Sequence, residues 1–154
     1  MTDFIELTVD KFTFRIATDR RYDSQGVWVL ETSGGVRVGL SDYVQQRIGD
    51  IAFAEVKPEG TLLGVGDELA SLETIKVNLA VSSPLAGTVS VANPLLDAEP
   101  EVLNADPYGD GWLADVTPLP VSTEGEEAAL LTPEQYLARV EVEARSEVGS
   151  EDDV

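Results

Sequence analysis

The chain predicts a mostly β domain, a sandwich or small barrel. Three observations carry that expectation. Short runs rich in β-branched and aromatic residues recur at close spacing, glycine and proline turns separate them, and only two stretches carry a helical period. At 154 residues the length points to one folded unit with a possible appendage. A chain of this size buries about 70% of its extended surface and folds without staples.

The first half reads as strands and turns. Phe12 to Ile16 (FTFRI) alternates in hydropathy. Val27 to Glu31 and Val36 to Leu40 flank Thr-Ser-Gly-Gly, which predicts a hairpin with glycines in its turn. The period then changes over "SDYVQQRIGD". Ser41 can cap, Val44 and Ile48 lie four apart on one face, and Gly49 can terminate, so a short helix is expected over 42–48. Alternation resumes from Asp50 to Val56. A turn at Gly66-Asp67 leads into two strand-like arms, "LASLETI" and "VNLAVSS", on either side of Lys76. Pro84 and Gly87 mark a bend before a strand from Thr88 to Val91, and "GWLADVTP" supplies the last strand.

Composition shifts beyond Pro120. Residues 1–120 read as the domain and 121–154 as a C-terminal extension. Its first part, "VSTEGEEAALL", is polar and loosely structured. Thr132 as cap and Pro133 at the first helical position open a helix over about 133–147, with Tyr136, Leu137, Val140 and Ala144 on one face. "GSEDDV" reads as a disordered acidic end.

Charge and missing residue types bound the chemistry. The net charge is −19, from 29 acidic and 10 basic residues, which argues against nucleic-acid partners and for a solvated surface suited to a saline interior or to basic partners. There is no cysteine and no histidine. Thiolate or imidazole metal sites and Ser-His or Cys-His nucleophiles are therefore impossible, and no catalytic residues are expected. No apolar run is long enough for a membrane span, and the N-terminus lacks the basic and apolar regions of a signal peptide; with the absence of cysteine, this fits a cytoplasmic protein. If the protein takes part in redox or transfer chemistry, the reactive atoms come from a group attached to it.

One of only three lysines, Lys76, stands between the two arms of "SLETIKVNLA". A lysine on a turn is ordinarily a solvated surface charge. Here the stretch "GDELASLETIKVNLAVSSPLAGTV" resembles the lipoyl/biotinyl attachment hairpin, through Gly66-Asp67, Glu73 three residues before the lysine, Ser83-Pro84, and Gly87 eleven residues after it. Biotin sites resemble Met-Lys-Met; the flanks Ile75 and Val77 favour lipoate. The resemblance narrows to the glycine cleavage H-protein family through "VGLSDYVQQRIGDIAFAEVKPEG" and through "LNADPYGDGWLADVTP", which is similar to that family's Asn-x-x-Pro-Tyr-x-x-Gly-Trp pattern. It covers about residues 20–120. It implies a lipoyl-type barrel-sandwich hybrid of two antiparallel sheets, a non-catalytic carrier, lipoate in amide linkage on Lys76, and Glu73 as a recognition residue for modification. The implied partners are a lipoate ligase or lipoyl transferase, and glycine decarboxylase, aminomethyltransferase and dihydrolipoyl dehydrogenase.

Two positions depart from the family. Its His-Glu-Trp aligns with Gly26, Val27 and Trp28, so the glutamate implied to hold the aminomethyl cargo is Val27; an aspartate four residues past the lysine is Ala80. Glu31 or Asp23 could compensate. A cationic amine docked without an acceptor is costly. These departures favour the H-like lipoate-binding proteins of sulfur oxidation, which accompany a heterodisulfide-reductase-like complex. The alternative is carriage of the aminomethyl group in glycine cleavage; a third reading is an unmodified interaction module that keeps only the fold.

Overall fold

The computed structural model describes residues 2–119 and 130–152. The strands are β1 (Phe4–Val9), β2 (Phe12–Ala17), β3 (Arg21–Tyr22), β4 (Val27–Thr32), β5 (Gly35–Leu40), β6 (Ile51–Val56), β7 (Leu62–Leu63), β8 (Glu68–Thr74), β9 (Asn78–Ser82), β10 (Gly87–Ala92) and β11 (Trp112–Pro118). The helices are α1 (Asp42–Ile48), α2 (Val102–Ala105) and α3 (Pro133–Asp152), with a 3-10 turn at Pro94–Asp97. A six-stranded sheet runs β3-β4-β5-β11-β10-β7, a three-stranded sheet runs β6-β8-β9, and every pairing is antiparallel.

The barrel-sandwich architecture is as expected, with one addition. The resemblance implies two sheets; β1 and β2 form a third, two-stranded one. Its sequence alternates, with Leu7, Val9, Phe14 and Ile16 buried, and Asp10 turns the chain at a positive φ of 56° that aspartate tolerates.

Two hydrophobic cores follow from this arrangement. Val38, Leu40, Leu69, Leu72, Val89 and Leu113 meet between the two larger sheets. Leu7, Phe14, Trp28, Tyr43, Tyr136 and Val140 form a second core under the β1–β2 hairpin. Strand β4 divides them: Val27 belongs to the first and Trp28 to the second, as period-two alternation requires. Trp28 faces Gly39 across the ladder, where an added Cβ would lie 2.4 Å from the indole, so a glycine is needed there.

The Asn-x-x-Pro-Tyr-x-x-Gly-Trp stretch fastens these parts together. Asn104 accepts the Ile51 N–H at 2.9 Å and donates to the Gly49 carbonyl at 2.9 Å, pinning the end of α1 to the start of β6. The Trp28 indole N–H donates to the carbonyls of Leu40 and Pro107, each at 3.0 Å. The Tyr108 hydroxyl donates to the Arg15 carbonyl at 2.7 Å and ties β2 down. Gly111 leaves room for the Val102 carbonyl, which an added Cβ would approach to 2.4 Å.

The C-terminal helix docks rather than standing apart. Thr132 and Gln135 form a reciprocal capping box, with the Gln135 N–H on Thr132 Oγ1 at 3.1 Å and the Thr132 N–H on Gln135 Oε1 at 2.9 Å. Tyr136, Val140 and Ala144 are buried, and Leu131 bridges to Tyr22. The expected end near residue 147 is too early. The helix runs through Asp152, so most of the stretch expected as a disordered acidic end is helical, with Asp153 and Val154 outside the described residues. A single Gly149 costs only about 1 kcal/mol inside a helix already anchored by its apolar face. The polar segment expected to be loose lies largely outside the described residues.

Candidate functional site

Lys76 sits in the turn of the β8–β9 hairpin, beyond the last paired residues Glu73 and Asn78. Thr74 builds the turn. Its N–H donates to the Val77 carbonyl at 2.9 Å, and its Oγ1 accepts the N–H groups of Lys76 and Val77 at 3.2 and 3.0 Å. The turn needs no glycine, since none of Thr74 to Val77 adopts a positive φ, and the threonine hydroxyl fastens it by hydrogen bonds. Ile75 is 90% exposed and Val77 46% exposed, so the lysine stands clear of the body on apolar shoulders. Glu73 is exposed beside it, opposite Asn78 on β9 and Phe53 on β6.

The α1 helix lies beneath. Ser41 caps it, accepting the Val44 N–H at 3.3 Å, and Gly49 ends it at φ 81°. The Lys76 Cε lies 3.9 Å from where a Cβ on Gly49 would be. The signature residue Asn104 thus fixes the surface over which the lysine stem passes.

Two clefts open on either side of Lys76. The larger, about 440 Å³, is lined by Ser24, Gln25 and Gly26, by Val44 and Ile48 of α1, by Leu79, and by Tyr136, Arg139 and Glu143 of α3. The smaller, about 230 Å³, is lined by Val9, Phe12, Phe14, Gln46, Ala144 and Glu147. Tyr43, Arg47 and Lys76 line both and form the divide. Arg47 is held 3.9 Å from Glu143 and is ion-paired with Glu147. The Tyr43 hydroxyl is buried with no hydrogen-bond partner among the described residues, and burial pushes its pKa up to about 12. A buried hydroxyl beside Glu143 and two clefts at the lysine fit an arm that carries polar and apolar parts.

The other expected positions separate. Val27 is 2% exposed and packs in the inter-sheet core; it lines neither cleft. Ala80 is exposed opposite Ser71 and also lines neither. Asp23 does not compensate. Its Oδ1 accepts the N–H groups of Gln25 and Val27, each at 2.9 Å, within its own turn, and burial outweighs those bonds and raises its pKa. Glu31 lines a separate groove with Asp19 and Arg20. The carboxylate that reaches the larger cleft is Glu143, from the C-terminal helix. Sequence reading missed it, together with Arg47 and Arg139. Its only signal was its place on α3, one turn beyond Arg139 and three residues after the buried Val140.

Gly26 has its own reason. At φ 89°, an added Cβ would lie 2.4 Å from a Val44 methyl and 2.7 Å from the Tyr136 hydroxyl. Tyr136 of α3 closes the space a side chain at this position would need.

Known proteins resemble this chain over most of its length. The profile described as "Glycine cleavage H-protein" matches residues 20–143. A probable glycine cleavage system H protein of Haloarcula marismortui is 36% identical over 129 residues, covering 84% of this chain and 99% of that protein. A glycine cleavage system H protein of Salinibacter ruber is 38% identical over 109 residues, covering 71% of this chain and 87% of its own. The crystal structure of a glycine cleavage system H protein from Mycobacterium marinum superposes with a TM-score of 0.69 at 26% identity, over 79% of this chain and 96% of that one.

Proposed function

The chain belongs to the glycine cleavage H-protein family, lipoyl carriers without catalytic activity of their own, and we propose that Lys76 is the lysine that carries its lipoyl group. The observation behind this is the placement of Lys76, on a Thr74-clasped turn between exposed Ile75 and Val77. A modifying enzyme needs an amine clear of the body and held in one orientation. Acylation removes the ammonium charge. The lipoyl group supplies the reversible dithiol chemistry; the chain supplies the tether, the turn and the clefts. Glu73, beside the tip, is the residue a lipoate ligase or lipoyl transferase would read.

For the cargo, we favour a sulfur-bound group passed to a heterodisulfide-reductase-like system. Val27 and Ala80 line neither cleft and supply no acceptor there, and the larger cleft's one carboxylate, Glu143, is 3.9 Å from Arg47, which is also ion-paired with Glu147, with Arg139 in the same lining. A cleft with this balance suits a neutral or anionic end better than an ammonium. The second reading, carriage of the aminomethyl group between glycine decarboxylase and aminomethyltransferase, has the names of its relatives behind it. On either reading the protein works among cytoplasmic enzymes.

Intact-mass measurement after expression with lipoate and a ligase tests the carrier role. Wild type should gain one lipoyl group and Lys76→Arg none; wild type left unmodified by several ligases sinks it. Incubating the lipoylated protein with glycine decarboxylase and glycine separates the cargo readings. Efficient aminomethyl loading overturns the sulfur reading, and its failure removes the other.

A further inference from the structure

We propose that the smaller groove, between the β1–β2 hairpin and α3, is a resting site for the uncharged dithiolane end of the arm on Lys76. The inference rests on Lys76 being the lipoylated residue.

The two clefts that meet at Lys76 differ in chemistry. The larger offers two arginines, a carboxylate, Ser24 and Gln25. An uncharged dithiolane gains nothing from these groups and would strip water from them. The smaller is lined by Val9, Phe12, Phe14 and Ala144, and its polar groups Arg47, Glu147 and Gln46 are already engaged: Arg47 is ion-paired with Glu147, and Gln46 donates to the Thr13 carbonyl and to Asp42. Phe12 is 45% exposed, with its ring stacked 6.3 Å from Phe14, so apolar surface is left facing water at the mouth. Covering that apolar surface removes it from water, which favours the bound ring, and a sulfur ring against aromatic edges adds to that.

The tether selects the occupant. The Lys76 side chain itself lines the groove, so a group built onto its amine begins at the entrance. No search through solution is needed, and the effective concentration of the arm is that of a short linker. Arg47 and Tyr43 stand between the two clefts and sort the arm: an empty ring rests against Phe12, and a loaded polar end turns into the larger cleft. The hairpin residues of the groove, Val9, Phe12 and Phe14, precede the span 20–143 that matches the family profile.

Methyl and aromatic NMR spectra of the full chain test this, comparing the unmodified protein with the oxidised lipoylated form, its attachment confirmed at Lys76 by peptide mass mapping. Signals of Val9, Ala144 and the Phe12 and Phe14 rings should shift on lipoylation, while Val44 and Ile48 stay in place. Phe12→Ser, its fold checked by an unchanged pattern of Val44 and Ile48 signals in the unmodified protein, should abolish the Val9 and Ala144 shifts, and Phe12→Leu, which keeps an apolar wall, should retain them. Shifts confined to Val44 and Ile48, or no shift in either set, overturn the resting site while leaving Lys76 as the attachment point. A lipoyl group mapped elsewhere removes both readings together.

Discussion

The hydroxyls of Tyr136 and Ser41 lie 2.6 Å apart, so the C-terminal helix is bonded to the residue that caps the helix beneath Lys76. The same Tyr136 ring stacks on Tyr22 at 4.4 Å and closes over Gly26. One side chain thus shapes the floor of the larger cleft and holds the extension to the domain. Tyr136→Phe should cost about 1 kcal/mol by removing the buried hydrogen bond. Gly26→Ala should cost about 1–3 kcal/mol, from the positive φ and the clash with Val44 and Tyr136 together. The double variant Gly26→Ala with Tyr136→Ala, measured by urea melts, should show non-additivity, because removing the ring reopens the space; strict additivity would refute the coupling.

Val27 packs between the sheets, so placing an acid there does not equip the cleft. Val27→Glu should destabilise by about 3–5 kcal/mol at neutral pH, as an unpaired buried carboxylate. Burial raises the folded-state pKa of that glutamate above its unfolded value, so the deficit should shrink as pH falls and the group protonates. A loss of stability that is unchanged between pH 7 and pH 5 would show the carboxylate reaching water.

Asp19 and Arg20 give the chain an acid-sensitive clasp. Arg20 is buried against Trp28, with its guanidinium 4.5 Å from the indole, and donates to Asp19 at 2.8 Å and to the Tyr108 carbonyl at 3.1 Å. Burial acts to raise the Asp19 pKa, but hydrogen bonding and charge from Arg20 outweigh it and hold the carboxyl below its usual value. The pair's contribution is therefore present above the unfolded aspartate pKa of about 3.9 and is lost as pH falls through the lowered folded value. Asp19→Asn should lower the melting temperature at pH 7 and converge on wild type in acid; equal losses at both pH values would remove the carboxylate from the account.

The net charge of −19 sets the response to salt. Self-repulsion on the surface is screened over about 10 Å at 0.1 M salt and about 3 Å at 1 M. The melting temperature should rise steadily from low salt to molar sodium chloride, and a flat profile by differential scanning fluorimetry would mean that the acidic groups are already spaced beyond mutual repulsion.

How much of this was readable in advance differs by element. The α1 helix over 42–48, the Thr-Ser-Gly-Gly hairpin and the Thr132 cap were legible because capping residues, turn glycines and apolar periods act over a few neighbours. Strand β3 and strand β7, two residues each, carry no period and exist only because a longer partner strand pairs with them. The end of α3 was misread because its anchor is Tyr136, Val140 and Ala144 docking on β1–β2, a long-range contact that outweighs the local acidic composition.

By itself the sequence determined the turn that presents Lys76, since Thr74 and the flanking alternation act within a few residues of it. The tertiary structure alone decided what stands beside that lysine. Val27 and Ala80, prominent in the chain, line neither cleft, whereas Arg47, Glu143 and Phe12 arrive from α1, α3 and β2. The physical reason is separation: a hairpin is closed by local hydrogen bonds, but a cleft exists only where two independently folded surfaces fail to meet, and no short-range pattern in the chain records that gap.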